Sequence, residues 1–560
     1  VYLKYDKLKI SNLKEEKFMY ECPNCGGNLK FDIESQDLHC KACNTHMDPY
    51  SFSKEKDAEE SQEYDVTIFT CPQCAGEIYS TDETAAAFCT FCGASTILDS
   101  RLTKEKRPKY ILPFQKTKED CKQAYFKTIS RAWFAPRELK DPKYVDGFRG
   151  IYMPYWLYDM NIKGRTAFPG TKSYRRGDYD ITKHYNIEGD IDCEYNGISY
   201  DASAAFSDSI SQRLAPFDTK KMKPFTPAFL SGFYADVADV DEEIYRKSAT
   251  DFVKERLSSY LREDKTMRSY HAFNDVDKLK RYMNIAGQQE EAAMFPVWFM
   301  SYRKGNRVAY ATVNGQTGKV VADLPVDPVK YVIGSAILTF FLFLLLNTFV
   351  FLRPISLLLL ICLISAFTIW LYGRELRQIR WKDEALDDAG MQYKGSLKEK
   401  QFSQTKGNSS TEKIKNAIKK NKQIYLVVGI IILFRVGLDI LNTSLNGLLY
   451  MLDNPVLLRL FYLVFLMAAI GILLYYRKDY QYVMEEEKKI PLIAGSLVSI
   501  CISIGILIIK PAHDIYYYGA VIAALTAELV AVFDLIRHYN ILVTRKLPQF
   551  DRKGGDDSAR

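Results

Sequence analysis

CPNCGGNLKFDIESQDLHCKAC, residues 22–43, and CPQCAGEIYSTDETAAAFCTFC, residues 71–92, superpose under a shift of 49 residues. In each copy a CxxC pair is followed by fourteen residues and a second CxxC pair, so Cys22, Cys25, Cys40 and Cys43 recur as Cys71, Cys74, Cys89 and Cys92. This is an internal repeat of a four-thiolate metal site. A CxxC turn lets two sulfurs converge on one ion, and two such turns complete the tetrahedron that Zn²⁺ favours. Gly26 with Gly27, Ala75 with Gly76, and Gly93 allow the tight reversal that each turn needs. Four protein ligands leave no position open for water, so the expectation is two structural Zn²⁺ ions in two small ribbons. His39 and His46 flank the first set, which is complete without them. Cys121, Cys193, Cys362 and Cys501 fall outside the grid and read as small buried hydrophobes.

The alternative for the eight cysteines is disulfide bonding, which needs an oxidising compartment. The rest of the chain bears on that choice. Its 560 residues carry a formal charge of +7 and a mildly negative mean hydropathy of −0.17. The average conceals six apolar runs, at 331–352, 355–372, 424–443, 456–476, 490–509 and 515–536. Each is long enough, at about 1.5 Å per residue, to cross a hydrocarbon core near 30 Å. The expectation is therefore a six-helix transmembrane domain, with a tight hairpin at Arg353 and Pro354. Residues 374–422 hold thirteen Lys or Arg against seven Asp or Glu, which places that loop in the cytoplasm. An even number of spans then puts both termini there, and the absence of a signal peptide before the cysteines agrees. A reducing compartment favours metal-bound thiolate over disulfide.

The domain plan follows. Ribbon 1 spans 1–52, an acidic linker 53–65, ribbon 2 66–104, a cytosolic mixed α/β domain 105–329, a transmembrane hairpin 330–373, a basic cytoplasmic loop 374–423, the remaining spans 424–536, and a cytoplasmic tail 537–560. In the mixed domain, ILPF at 111–114 reads as a short strand, 117–133 as a helix, and 150–164 as an aromatic strand. Tyr185, Ile187, Ile191, Cys193 and Tyr195 alternate with polar residues, so one face of that strand is covered. Helices are expected at 201–214 and 237–263, and a closing hairpin runs through FPVWFM and RVAYATV. MPYWLY and FPVWFM are alike, which raises two half-domains of similar build against simple convergence.

No catalytic constellation emerges. NGQTGKV, 314–320, lacks the spacing of a phosphate loop and has Val320 where a hydroxyl belongs, so Asn314-Gly315 reads as a hairpin turn. Metalloprotease, serine-hydrolase and dinucleotide-binding patterns are absent. The reading is a protein that is not an enzyme. Nucleic acid is disfavoured too, because residues 1–104 carry ten Lys and one Arg against eighteen Asp and Glu, the wrong sign for phosphate contacts. Arg435, Asp439 and Glu528 fall inside expected spans, where charge is costly, and form a candidate cluster. A buried clasp between helices is the preferred reading; a channel or transporter is the alternative. Lys413, Lys415, Lys419, Lys420 and Lys422 precede the third span and suit anionic lipid.

Taken in order, the four-cysteine ribbons, LPF at 112–114, WFAP at 133–136, YMPYW at 152–156, LSGFYADVADVDEE at 230–243, FPVW at 295–298, NGQTGKV and the tail TRKLPQFDRKGGDDSA at 544–559 carry a resemblance. The chain resembles the YdjG-like proteins, zinc-ribbon polytopic membrane proteins of Gram-positive bacteria, over about three quarters of its length. That resemblance implies a multi-pass scaffold of the bacterial plasma membrane. It implies work with SPFH-domain and TPM-domain partners and a PspA-like coat during envelope stress. The sequence leaves a homo-oligomer open.

Overall fold

The two aromatic stretches around Trp156 and Trp298 set the centre of the fold, because strands apolar on both faces need cover on both sides. The computed structural model describes residues 20–52, 63–74, 76–80, 89, 91–92, 99–264, 270, 283, 287–347, 354–384, 388–390, 466–487 and 493–546. In chain order, β1 (Leu29–Phe31), β2 (Leu38–Cys40) and β3 (His46–Met47) form a small antiparallel sheet. Then come β4 (Glu63–Thr70), β5 (Glu77–Ser80), β6 (Asp99–Lys106), β7 (Tyr110–Ile111), α1 (Lys118–Ser130), α2 (Pro142–Val145), β8 (Arg149–Arg176), β9 (Tyr179–Asp201) and α3 (Asp208–Leu214). β10 (Lys223–Pro224), β11 (Tyr234–Asp236), α4 (Glu243–Glu263), β12 (Gly287–Lys304), β13 (Arg307–Asn314) and β14 (Val320–Ala322) complete the mixed part. The last elements are α5 (Pro328–Asn347), α6 (Pro354–Asp383), α7 (Arg477–Glu487), α8 (Ala494–Ile509), α9 (Asp514–Val543) and β15 (Arg545–Lys546).

β4 to β15 share one mixed, 12-stranded sheet. Its central pair is β8 with β12, antiparallel, which sets Met153 against Phe295 and Gly150 against Trp298. The two look-alike motifs are thus direct neighbours. Each tryptophan pins a connection: Trp298 Nε1 donates to Lys116 O at 2.9 Å and Trp156 Nε1 to Val240 O at 2.8 Å. Beyond Asn161, where β12 ends its pairing, β8 and β9 continue alone as an arm to the Arg176–Tyr179 turn. One face of the arm packs Ile162 and Phe168 against Val253 and Leu257 of α4. The expected alternation holds from Ile187, with Ile187, Ile191, Cys193 and Tyr195 half-buried between exposed neighbours, but not at Tyr185, which is exposed.

Local chemistry decides where helices begin. Thr117 caps α1 in a capping box with Asp120, and the helix stops at Ser130, short of 133. The helices expected from 201 and 237 start later, at Asp208 and Glu243. Short polar side chains claim the intervening backbone: Ala204 N donates to Asp239 Oδ1 at 2.8 Å, and Asp239 N and Val240 N both donate to Ala202 O. Asn314 Oδ1 accepts from Gln316 N and Thr317 N, both at 2.9 Å, so NGQTG is the β13–β14 turn.

The six-helix transmembrane domain requires correction. Among the described residues one helix, α9, is long and apolar enough to cross a membrane. Within the described residues the apolar stretches Pro328–Phe341, Leu466–Tyr475 and Ala494–Ile506 fall short of the roughly 20 residues that a bilayer core requires. α6 is apolar only ahead of Arg374; beyond it the helix runs on through Arg377, Arg380 and Lys382. These helices also meet through polar groups, with Ser365, Ser499, Ser503, Asp534 and His538 buried among them. The multi-pass placement in a bacterial plasma membrane, with both termini cytoplasmic, is corrected on the same ground. The run at 424–443, residues 456–465 of the fourth run and most of the basic loop lie outside the described residues.

The helices are joined to the sheet rather than merely linked to it. β15, directly after α9, pairs antiparallel with β13, so the chain returns to the sheet. Arg307 of β13 meets Asp383 at the end of α6 at 3.0 Å, and donates to Ile541 O at 2.8 Å and Thr544 Oγ1 at 2.9 Å. Both partners of that ion pair are largely buried, so its geometry holds two helix ends to one hairpin.

Candidate metal centres

Each cysteine set closes as its spacing predicts. The Sγ atoms of Cys22, Cys25, Cys40 and Cys43 lie within 4.8 Å of one another, and so do those of Cys71, Cys74, Cys89 and Cys92. These two groups are compatible with metal binding, each with four sulfur donors and no other ligand type. The turns form as glycine allows: Gly26 N donates to Cys22 O and Cys22 N to Gly27 O, both at 2.8 Å, with Gly26 at φ +69°. Cys71 N donates to Gly76 O at 2.9 Å in the second copy.

The two centres differ in surroundings. In the first, Cys22 and Cys40 are buried against Leu29, Phe31 and Leu38, whereas Cys25 and Cys43 are exposed. In the second all four are buried, beside Phe69, Ile78 and Phe91. Topology is the cause. β5 pairs with β11, which draws the second module into the large sheet, and Tyr310 Oη donates to Phe91 O at 3.0 Å across its top. The first module keeps its own sheet and sits on the rim, where Phe31 N donates to Ser231 O at 3.0 Å and Ser231 Oγ to Leu29 O at 2.6 Å.

The histidines stay outside the sulfur set. His39 and His46 stack at 4.4 Å between ring centres, with His39 Nε2 at 2.8 Å from Asn44 Oδ1 and His46 Nδ1 at 3.0 Å from Asp37. Thr45 Oγ1 lies 3.0 Å from Cys43 Sγ, and its hydrogen bond, with others from the set, pulls the Cys43 thiol down to about 6. Cys121 and Cys362 are buried as expected of small hydrophobes, while Cys501 is exposed.

Of the other candidate residues, Glu528 is buried and its Oε2 accepts from Ser365 Oγ at 2.7 Å. Arg435 and Asp439 lie outside the described residues, as do Lys413, Lys415, Lys419, Lys420 and Lys422. One constellation escaped the reading of spacing altogether. Asp201 at the end of β9, Asp208 of α3 and Asp388 are all buried in one region. Tyr245 Oη donates to Asp208 Oδ1 at 2.6 Å and Ala389 N to Asp208 Oδ2 at 2.8 Å, while Asp201 Oδ2 has no hydrogen-bond partner. Burial, reinforced by the Asp208 charge, pushes the Asp201 carboxyl well above its ordinary range. These residues are far apart in the chain, and the expected alternation stopped at Tyr195, so no pattern in the sequence pointed to them.

Comparison with known proteins places the chain beside one relative. It is 28% identical over 313 residues to the uncharacterized protein YdjG of Bacillus subtilis (strain 168), an alignment that covers 55% of this chain and 90% of the relative. The chain is similar to YdjG. The matched share falls short of the three quarters that the motifs suggested. No family model matches the chain, and no solved structure matches it.

Proposed function

We propose that the protein is a non-catalytic scaffold whose two zinc-bound modules hold a docking region for partner proteins, in the service of membrane maintenance or the response to envelope stress. The observation that carries the reading is the closure of both cysteine sets: four sulfurs within 4.8 Å, with no fifth donor, make a site that fixes structure and offers no position to a substrate. Zn²⁺ suits four thiolates in a tetrahedron better than the harder divalent ions do. When bound it supplies cross-linking of a module too small to be stable on a hydrophobic core alone. Partners of the SPFH-domain, TPM-domain and PspA-like kinds are those that the resemblance to the YdjG-like proteins implies, and α9 is the element suited to a contact with lipid.

Crosslinking in living cells, followed by identification of what copurifies, tests the reading. The same capture is repeated with Cys22, Cys25, Cys40 and Cys43 changed to Ser, and with all eight cysteines changed. The expected outcome is a set of co-purifying proteins that is lost with the cysteines. Recovery of the same partners by the eight-serine variant would remove the modules from that role.

A further inference from the structure

We propose that the first cysteine module is the protein's oxidation site, where a hydroperoxide converts Cys25 or Cys43 with its buried neighbour into a disulfide and expels the metal, while the second module resists. The inference rests on the zinc reading above. It is carried by the difference between two sets that are identical in spacing. Attack on a peroxide demands that its oxygen reach a sulfur, so access decides which thiolate reacts. Cys25 and Cys43 are exposed, and none of the four cysteines of the second module is.

The pairing supplies the second half of the reaction. Each exposed cysteine is paired with a buried one, Cys25 Sγ at 3.5 Å from Cys40 Sγ and Cys43 Sγ at 3.5 Å from Cys22 Sγ. A thiolate attacks one peroxide oxygen, the O–O bond breaks, and hydroxide leaves with the bonding pair. The sulfenic acid so formed is attacked by the adjacent thiolate, and a second hydroxide leaves as the S–S bond closes. Two thiolates, one hydrogen peroxide and two protons become one disulfide and two waters, with two electrons passing from sulfur to oxygen. The sulfurs close from 3.5 Å to about 2.05 Å, which would take away two of the four donors that hold a metal there.

Loss of the metal also loosens what the module covers. Phe31 packs on Phe229 at 5.1 Å and on Phe233 at 6.5 Å between ring centres, and Phe233 stacks on Phe114 at 4.6 Å. Gln36 Nε2 donates to Phe114 O at 2.7 Å and Tyr50 Oη to Pro224 O at 2.9 Å, so the module lies over an aromatic surface of the large sheet. Oxidation of the first module uncovers Phe229 and Phe233, and the aromatic surface becomes the output.

The experiment uses the full chain purified under reducing conditions and transferred to reductant-free buffer. Bound zinc is counted by elemental mass spectrometry, hydrogen peroxide is added, and release is followed with a metal-sensitive dye. Differential alkylation of the wild-type protein identifies the oxidised cysteines. The expected result is two zinc ions per chain at the start, with one released at least about tenfold faster than the other. The fast phase should carry a disulfide confined to Cys22, Cys25, Cys40 and Cys43 and a rise in binding of a hydrophobic dye. Two ions released at equal rates, or the second module oxidised first, would overturn the proposal and leave the zinc reading intact. Fewer than two ions before peroxide would overturn the zinc reading, and the proposal with it.

Discussion

Asp201→Asn is expected to stabilise the protein, and by an amount that grows with pH. The Asp201 carboxyl is 2% exposed, Oδ2 has no hydrogen-bond partner, and Asp208 and Asp388 place further negative charge in its surroundings. Its pKa is raised in the folded protein, whereas in the unfolded chain it stays near the ordinary 3.8. Between those two values folding takes up a proton. The stability owed to the neutral carboxyl is fully present below the unfolded value and is lost as pH rises through the folded one. Each pH unit inside that window costs about 1.4 kcal/mol. Asparagine has the same shape and cannot ionise. Asp208 and Asp388 are retained in both proteins, so the difference between the two isolates position 201. Urea unfolding read from tryptophan fluorescence between pH 5 and 8, with Trp156 and Trp298 reporting the sheet, measures that difference. The variant's advantage should climb by about 1.4 kcal/mol per pH unit from the acid end and then level off. A difference that does not change with pH would refute the reasoning, because it would mean that the native carboxyl is already ionised at low cost.

Arg307→Ala should leave the buried Asp383 carboxylate without its ion-pair partner and cost about 3–5 kcal/mol. Hydrogen exchange would show lost protection at 541–546 together with 307–313, since one guanidinium serves both; loss confined to the hairpin would contradict the coupling. Thr117→Ala removes the cap and the reciprocal Asp120 contact of α1 and should cost about 1 kcal/mol, seen as faster exchange in the first turn of Lys118–Ser130 and a lower thermal midpoint. A midpoint unchanged by that substitution would mean the capping box contributes nothing net.

The parts legible in the sequence were those set by neighbours close in the chain. The CxxC pairs, the NGQTG turn and the alternation from Ile187 to Tyr195 each depend on a few consecutive residues. The helix starts at 208 and 243 are not legible because Asp239 N donates to Ala202 O while Asp239 Oδ1 accepts from Ala204 N, a long-range exchange that periodicity does not register. The apolar runs were over-read for a related reason. Length and hydropathy describe one helix at a time, whereas the buried Ser365, Ser499 and Glu528 show helices that pack on one another through polar groups.

By itself the sequence determined that eight cysteines form two equal sets, because thiolate chelation is governed by spacing along the chain. Only the tertiary structure made the sets unequal. Pairing of β5 with β11 carries one set into the large sheet, while the other keeps its own three strands at the rim. Solvent access, and with it reactivity, is a property of what packs around a site. Contacts that close loops of such length leave no mark in the local pattern of residues.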